Sequence, residues 1–266
     1  VEMPVENMAR RYGVPMVAVH RADLQAGLLA ALGPGVVRTG ATCTSFPQDE
    51  TRAWAHLASV EGVAGDLLVV NTSGTLNASL DAVDQKGARF RLHLSTRLPG
   101  GFWSLEVRRP GARVSVPLRA AMAGRVLRLP AGGRASILAP YPLVDDVDSP
   151  SRLWMAAVEL PEPALAYLER HGTPIRYDYV PKAWPNEMYQ TVFATKPGSA
   201  EMPSAGRPFS ESLVTRLVSA GVQIAPLLLH TGVSSLEDHE PPYEEYYEVS
   251  PQTAERVNAT RSAGGR

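Results

Sequence analysis

His230 follows the apolar run 222–229 and precedes Thr231-Gly232. An imidazole at the end of a strand in an open sheet stands where such folds place ligands, and near neutral pH it can take or give a proton. A histidine at a strand end also serves as a hydrogen-bonded structural group, so both readings stand. Two glycine-containing stretches come before it, Pro197-Gly198-Ser199 and Ser204-Ala205-Gly206. Glycine suits close approach of a backbone to a ligand, and it suits a tight structural turn equally well. Downstream, His239 and Glu240 sit in a loop crowded with Glu237, Asp238, Glu244, Glu245 and Glu248. Tyr189, Tyr243, Tyr246 and Tyr247 offer aromatic faces, either for stacking on a base or for packing.

The elements that must position these residues are legible as periodicities. Residues 14–19 read as a strand, and Leu24, Leu28, Leu29 and Leu32 recur at helical spacing until Gly33-Pro34-Gly35. A short helical stretch is expected around residues 54–58, then a compact strand over 66–70 ending at Asn71-Thr72-Ser73-Gly74. From about residue 82 to 161 the texture is β. Residues 89–94 alternate apolar and polar, Pro99-Gly100-Gly101 marks a turn, and 102–108 alternate again, which predicts a hairpin. Further short strands are expected at 125–129, 135–138 and 153–159, the spacing of a small barrel or sandwich. A helix runs from Pro161-Glu162-Pro163 to Gly172. After a proline-studded connector, Leu213, Val214, Leu217 and Val218 form a helical stripe with Ser210 as N-cap and Gly221 past its end. The run 222–229 reads as a strand buried on both faces, and Ser250-Pro251 opens a last helix.

Composition bounds the class. The 266 residues are 44% hydrophobic and 20% charged, enough for a buried core. No apolar stretch is long enough to span a bilayer, and the N-terminal residues do not have the pattern of a secretory signal. A single cysteine, Cys43, cannot form an internal disulfide or a multi-thiolate metal site, so no metal is expected and a reducing cytoplasm is the expected compartment. Net charge is −1, but its distribution is uneven. Between Lys86 and Arg134 the one acidic residue is Glu106 among many arginines, and the sign flips near residue 240. A basic module beside an acidic one suits a polyanion held against a cation; arginines solvating a β module are the plainer reading.

The ordered motifs Tyr189-Gln190-Thr191-Val192-Phe193-Ala194, Pro197-Gly198-Ser199-Ala200, Pro203-Ser204-Ala205-Gly206, Leu229-His230-Thr231-Gly232 and Glu245-Tyr246-Tyr247-Glu248-Val249-Ser250 resemble the signature half of the S-adenosylmethionine:tRNA ribosyltransferase-isomerases of queuosine biosynthesis. The strand 66–72 and the hairpin 89–109 are similar to earlier parts of that family, so the resemblance covers roughly residues 50–266. It implies an α+β protein, an α/β domain with an inserted small closed β-barrel. The expected division is 1–48, then 49–81 with 178–266 as the α/β domain, and 82–177 as the barrel. Residues 1–45 resemble instead a piece of a flavin-dependent monooxygenase, with Arg21 near the flavin position. The upstream glycine-rich unit of such a site does not precede it, so no FAD is expected.

The resemblance implies transfer and isomerisation of the ribosyl part of S-adenosylmethionine onto a 7-aminomethyl-7-deazaguanine base in the tRNA anticodon. Adenine and methionine leave and epoxyqueuosine remains. The sulfonium acidifies the neighbouring ribose C–H, so a base removes that proton while an acid assists adenine departure. The implied catalytic residues are His230, His239 and Glu240. The implied cofactor-binding residues are Tyr189, Gly198, Ser199, Ser204, Ala205, Gly206 and Arg207, with Arg89, Arg91, Arg108 and Arg109 as tRNA contacts. A monomer is expected.

This chain departs from the family pattern at several motif positions. Arg207-Pro208 stands where the family has Leu-His, Tyr243 where it has a histidine, and Gly74 and Ser79 where it has arginines. Neither proline nor tyrosine replaces a histidine near neutral pH. The family also continues past the Gly264-Gly265 turn into a strand and a Gly-Thr-Thr motif, and a sheet without that strand is expected to be unstable or inactive. The alternative reading is a catalytically inactive relative or fragment that retains RNA binding.

Overall fold

A computed structural model of the chain describes residues 43–45, 53–57, 60–142, 151–178, 180–233 and 243–265. The expected strand at 14–19, the helix after it, all but residues 43–45 of the monooxygenase-like stretch 1–45, and His239 and Glu240 lie outside the described residues. The chain divides into two compact units, 1–39 with 236–244 and 40–235 with 245–266, and every element below belongs to the second.

β1 (Cys43–Ser45), β2 (Ala53–Leu57) and β3 (Val60–Gly65) form a three-stranded antiparallel sheet. β2 overturns the helical expectation for residues 54–58: Trp54 pairs with Ala64 and Ala55 with Val63. So short a segment gains little by closing a helical turn alone, whereas the adjacent strand satisfies its backbone groups at once.

β4 (Leu67–Asn71) and β5 (Ser73–Thr75) are nearly continuous, interrupted at Thr72. The Thr72 N–H donates to the Leu227 carbonyl at 2.9 Å, and the Thr72 carbonyl accepts from Lys196 at 3.0 Å. This one residue therefore ties the strand to a neighbour on each side.

The barrel follows. β6 (Ser79–Val83), β7 (Arg89–Arg97), β8 (Phe102–Arg109), β9 (Val116–Pro117), β10 (Val126–Arg128), β11 (Arg134–Tyr141) and β12 (Leu153–Glu159) form one antiparallel sheet. It runs β12-β11-β10-β6-β7-β8-β9, and β12 pairs back onto β8, closing a six-stranded barrel with β9 at its rim. Alternation explains its interior. Leu80 and Ala82, Phe90, Leu92 and Leu94, Trp103, Leu105 and Val107, and Trp154 and Ala156 are all buried and recur at every second position. Closure leaves these six strands no free edge. The chain enters and leaves the barrel side by side, with Ser79 and Thr173 exchanging both backbone hydrogen bonds at 2.9 Å. That pairing is the geometry of an insertion into another domain.

α1 (Ala164–His171) leads out of the barrel, burying Tyr167 and Leu168 and stopping at Gly172. A Cβ at Gly172 would fall 2.0 Å from the Asn77 carbonyl oxygen, so this crossing point admits no side chain. β13 (Lys196–Ser199) pairs parallel with β5. α2 (Glu211–Ser219) is capped by the Ser210 hydroxyl, which accepts from the Leu213 N–H. β14 (Gln223–Leu229) pairs parallel with β4, and β15 (Tyr247–Glu248) adds antiparallel to β14. α3 (Pro251–Ser262) is capped by Ser250, which accepts from the Thr253 N–H. Among the described residues β14 is not buried on both faces as expected: Ala225 and Leu228 are buried, but Gln223 and Pro226 are exposed. An apolar run reports the absence of charge along a strand, and the layers laid over it come from elsewhere in the chain.

Candidate functional site

The ends of β4, β13 and β14 converge on His230. Asn71, closing β4, acts as a clamp: its side-chain N–H donates to the Leu229 carbonyl at 2.7 Å and its side-chain oxygen accepts from the Leu229 N–H at 2.9 Å. The same oxygen accepts from the Ser73 N–H at 3.1 Å, so one amide sets both the register of β14 and the position of Ser73.

A chain of hydroxyls results. The Thr231 N–H donates to Ser199 Oγ at 2.9 Å, Ser199 Oγ lies 2.5 Å from Ser73 Oγ, and Ser73 Oγ lies 2.7 Å from His230 Nδ1. Ser199 Oγ accepts from Thr231 and keeps a second lone pair, so the protons run either from Ser199 through Ser73 to Nδ1, with the ring proton on Nε2, or from Nδ1–H through Ser73 to Ser199. Burial, and secondarily Lys196, push the imidazole below the ordinary histidine range, favouring the neutral form this arrangement needs. Tyr246 stacks on the ring at 5.6 Å between centroids and 27° between planes, and its carbonyl accepts the His230 N–H.

Gly198 and Ser199 share this cluster with His230. The stretch Pro197-Gly198-Ser199 is part of β13 and not a turn, and its glycine is required by the imidazole: a Cβ there would lie 2.2 Å from Nε2 and Cε1. Ser204, Ala205 and Gly206 form a 3-10 turn whose Ser204 carbonyl accepts the Arg207 N–H, and Arg207 is exposed. This turn takes no part in the hydrogen bonds around His230. Tyr189 is half-buried and its carbonyl accepts from the Thr75 hydroxyl at 2.7 Å. Gln190 beside it brackets Thr75, accepting from its N–H and donating to its carbonyl, both at 2.9 Å.

The arginines separate. Arg89 and Arg109 are exposed, and Arg91 pairs with Asp81 at 2.9 Å. Arg108 departs from the expected surface contact. It is buried, with its guanidinium donating to Glu106 at 2.6 Å and to the Ser115 hydroxyl and carbonyl at 2.9 and 2.8 Å. A guanidinium enclosed in this way has no face left for a phosphate. His93, Glu106, Arg108 and Arg152 make a buried polar row on the outer wall of the barrel, with Glu106 reaching His93 at 3.7 Å and Arg152 at 3.8 Å. Burial pushes the Glu106 carboxyl up, against the pull of Arg108 and Arg152. The segment after His230 closes over this wall, where the Val233 N–H donates to Ser95 Oγ at 2.9 Å. Among the described residues no cluster of histidine, cysteine or carboxylate side chains is arranged to hold a metal ion.

Ser73 and Asn71 were not singled out from the sequence. The one signal that marks them is a polar Asn-Thr-Ser step immediately after an apolar strand.

Small parallel and antiparallel sheets carrying an inserted closed barrel, with serine and histidine at the converging strand ends, define the class, and sequence comparison identifies it. The chain belongs to the queuosine biosynthesis protein family, whose pattern matches residues 53–266. It is 34% identical over 215 residues to the S-adenosylmethionine:tRNA ribosyltransferase-isomerase of Xylella fastidiosa strain M23, covering 76% of this chain and 56% of that protein. The protein of the same name from Desulforamulus reducens is 31% identical over 212 residues, covering 76% and 58%. The chain thus spans a little over half the length of these curated relatives. A crystal structure titled S-adenosylmethionine tRNA ribosyltransferase from Thermotoga maritima is 22% identical, with 88% of this chain and 64% of that chain covered. Its TM-score is 0.27, a likeness too loose to carry an argument.

Proposed function

We propose that this chain carries the His230-centred part of a tRNA ribosyltransferase-isomerase, transferring and isomerising the ribosyl moiety of S-adenosylmethionine onto 7-aminomethyl-7-deazaguanine in the tRNA anticodon to give epoxyqueuosine. The observation that carries the reading is that the hydroxyl chain Ser199–Ser73–His230 is built from the residues that align with this family. A neutral imidazole with a hydroxyl relay on one nitrogen is equipped to move a proton during ribose C–H removal or adenine departure. Tyr246, half exposed and stacked on that imidazole, offers its ring to adenine. Arg207 supplies a cation for the methionine carboxylate, and His239 and Glu240 are the proposed contacts for the sulfonium or the tRNA. Arg89, Arg91 and Arg109 are the proposed tRNA contacts, without Arg108. No helix among the described residues is long and apolar enough to cross a membrane, and a monomer acting on tRNA in the cytoplasm fits the reading.

The test is incubation of the chain with precursor-bearing tRNA and S-adenosylmethionine, following adenine release and the mass gain of the modified base. Both are expected. A folded chain that binds tRNA and releases no adenine supports the second reading, a catalytically inactive relative. Arg207-Pro208 and Tyr243 at positions where the family carries histidines favour that reading.

A further inference from the structure

A cleft of about 320 Å³ opens on the outer wall of the barrel, away from the hydroxyl chain. One side is β6 and β7, another is the loop 110–115, and the third is the connector 173–189. Three guanidinium groups line it, from Arg91, Arg113 and Arg176, against the single carboxylate of Asp81. Asp81 engages one nitrogen of Arg91. Arg113 and Arg176 each give one N–H to a backbone carbonyl, that of Asp178 and of Arg113 respectively. A carbonyl orients a guanidinium without neutralising it, and each of these bonds uses one of the five donors of its arginine. The cleft is therefore an anion site in charge.

Its other walls are not those of a simple phosphate site. Trp184 and Tyr189 line it, and Trp184 is 38% exposed with Lys182 Nζ 3.9 Å from its ring centroid. Beneath it is His93, 1% exposed, whose buried Nδ1 faces the Glu106 carboxylate at 3.7 Å. Its Nε2 reaches only Ser115 Oγ, at 3.5 Å. Burial first, then Arg108 and Arg91, hold this imidazole well below the ordinary histidine range. Cations at the walls beside exposed aromatic faces match one unstacked nucleotide with its flanking phosphates.

We infer that this cleft is a subsite for a single-stranded RNA nucleotide, with Arg113 and Arg176 on the phosphates and Trp184 stacked on the base. The inference rests on the proposed tRNA-modifying function and places part of the RNA strand. Tyr189 connects the two regions, since it lines the cleft while its carbonyl is bonded to Thr75, two residues past Ser73.

The experiment measures binding of tRNA and of a short single-stranded oligoribonucleotide to the full chain by fluorescence anisotropy at graded salt. The variants are Arg113→Glu with Arg176→Glu, Arg113→Ala with Arg176→Ala, and Trp184→Ala. These side chains are at the surface or half-buried, and unchanged circular dichroism and melting confirm the fold. The charge-reversed and the alanine pairs are expected to weaken both RNAs about ten-fold or more and to reduce the salt slope by about two. Trp184→Ala is expected to weaken binding by about ten-fold with the salt slope unchanged. S-adenosylmethionine binding, read separately by calorimetry, stays at the wild-type value. Wild-type RNA affinity in both arginine pairs overturns the subsite, as does competition by free adenosine monophosphate at the same concentration as the oligonucleotide. Adenine release by the wild type with an unaltered KM for tRNA in the arginine pairs overturns the subsite and leaves the enzymatic reading intact. Loss of RNA affinity in those pairs, with no adenine release by the wild type, supports the subsite and overturns the enzymatic reading.

Discussion

The imidazole of His230 lies so close over Gly198 that a Cβ at residue 198 would fall 2.2 Å from both Nε2 and Cε1. The glycine and the histidine are 32 residues apart in the chain and act as one fitted pair. Gly198→Ala must therefore move the ring, because the backbone of β13 is held by its pairing with β5. Adenine release is expected to fall on the order of 10²-fold, the usual consequence of misplacing a reacting group by about an ångström. Stability should drop by about 1–3 kcal/mol from overpacking. Comparing turnover with the urea midpoint checks both, and a fully active Gly198→Ala would show that the ring position does not matter.

Ser73→Ala removes the hydroxyl 2.7 Å from His230 Nδ1, which as a donor engages the Nδ1 lone pair. A bond to that lone pair stabilises the neutral ring, so its loss raises the histidine's titration midpoint toward the ordinary value. Titration of His230 by NMR in wild type and variant measures the change. A midpoint that falls in the variant means the hydroxyl accepts from the ring instead.

His93 carries a pH signature. Its folded-state midpoint lies below the unfolded value of about 6.5, so below that pH the unfolded chain takes up a proton that the folded chain refuses. Its contribution to stability is complete above about pH 6.5 and declines as pH falls. Glu106, shifted upward, acts in the opposite sense, its contribution present at low pH and lost as pH rises through its folded midpoint. The diagnostic quantity is therefore the difference between wild type and His93→Gln. From about pH 5.5 to 7.5 the wild type should gain more stability than the variant by urea denaturation, and equal slopes would remove His93 as the cause.

Asn71→Ala deletes the two-bond clamp on Leu229 and the bond to the Ser73 N–H. At about 1 kcal/mol per bond the loss is roughly 2–3 kcal/mol. Because the clamp also places Ser73, adenine release should fall further than the destabilisation explains. Activity measured well below the melting temperature separates the two effects, and an Asn71→Ala that loses stability alone would confine the residue to a structural role.

Much of this architecture was legible from local pattern. The alternation at 89–94 and 102–108 became the β7–β8 hairpin, 153–159 became β12, and Ser210 and Ser250 cap the helices that follow them. These features depend on neighbours a few residues away, which a sequence displays directly. The stretch at 54–58 was misread because five residues carry too little period to separate helix from strand, and pairing with β3 settled it. The arginines of the β module were read either as tRNA contacts or as solvated side chains. On the outer face of the barrel His93, Glu106 and Arg108 are buried, with Ser115 of the loop 110–115 folded against Arg108 and His93.

The order of motifs from Tyr189 to Ser250 was enough to assign the family and to mark His230, Gly198 and Ser199. It was silent on Ser73 and Asn71, and it put Arg108 on the surface. The roles of Ser73 and Asn71 depend on contacts between segments 100 or more residues apart in the chain, Ser73 with Ser199 and Asn71 with Leu229, and Arg108 is enclosed by Glu106 and the folded-back Ser115. A hydroxyl or a guanidinium is the same in sequence whether it meets water or a partner, and only the folded arrangement of distant strands decides which.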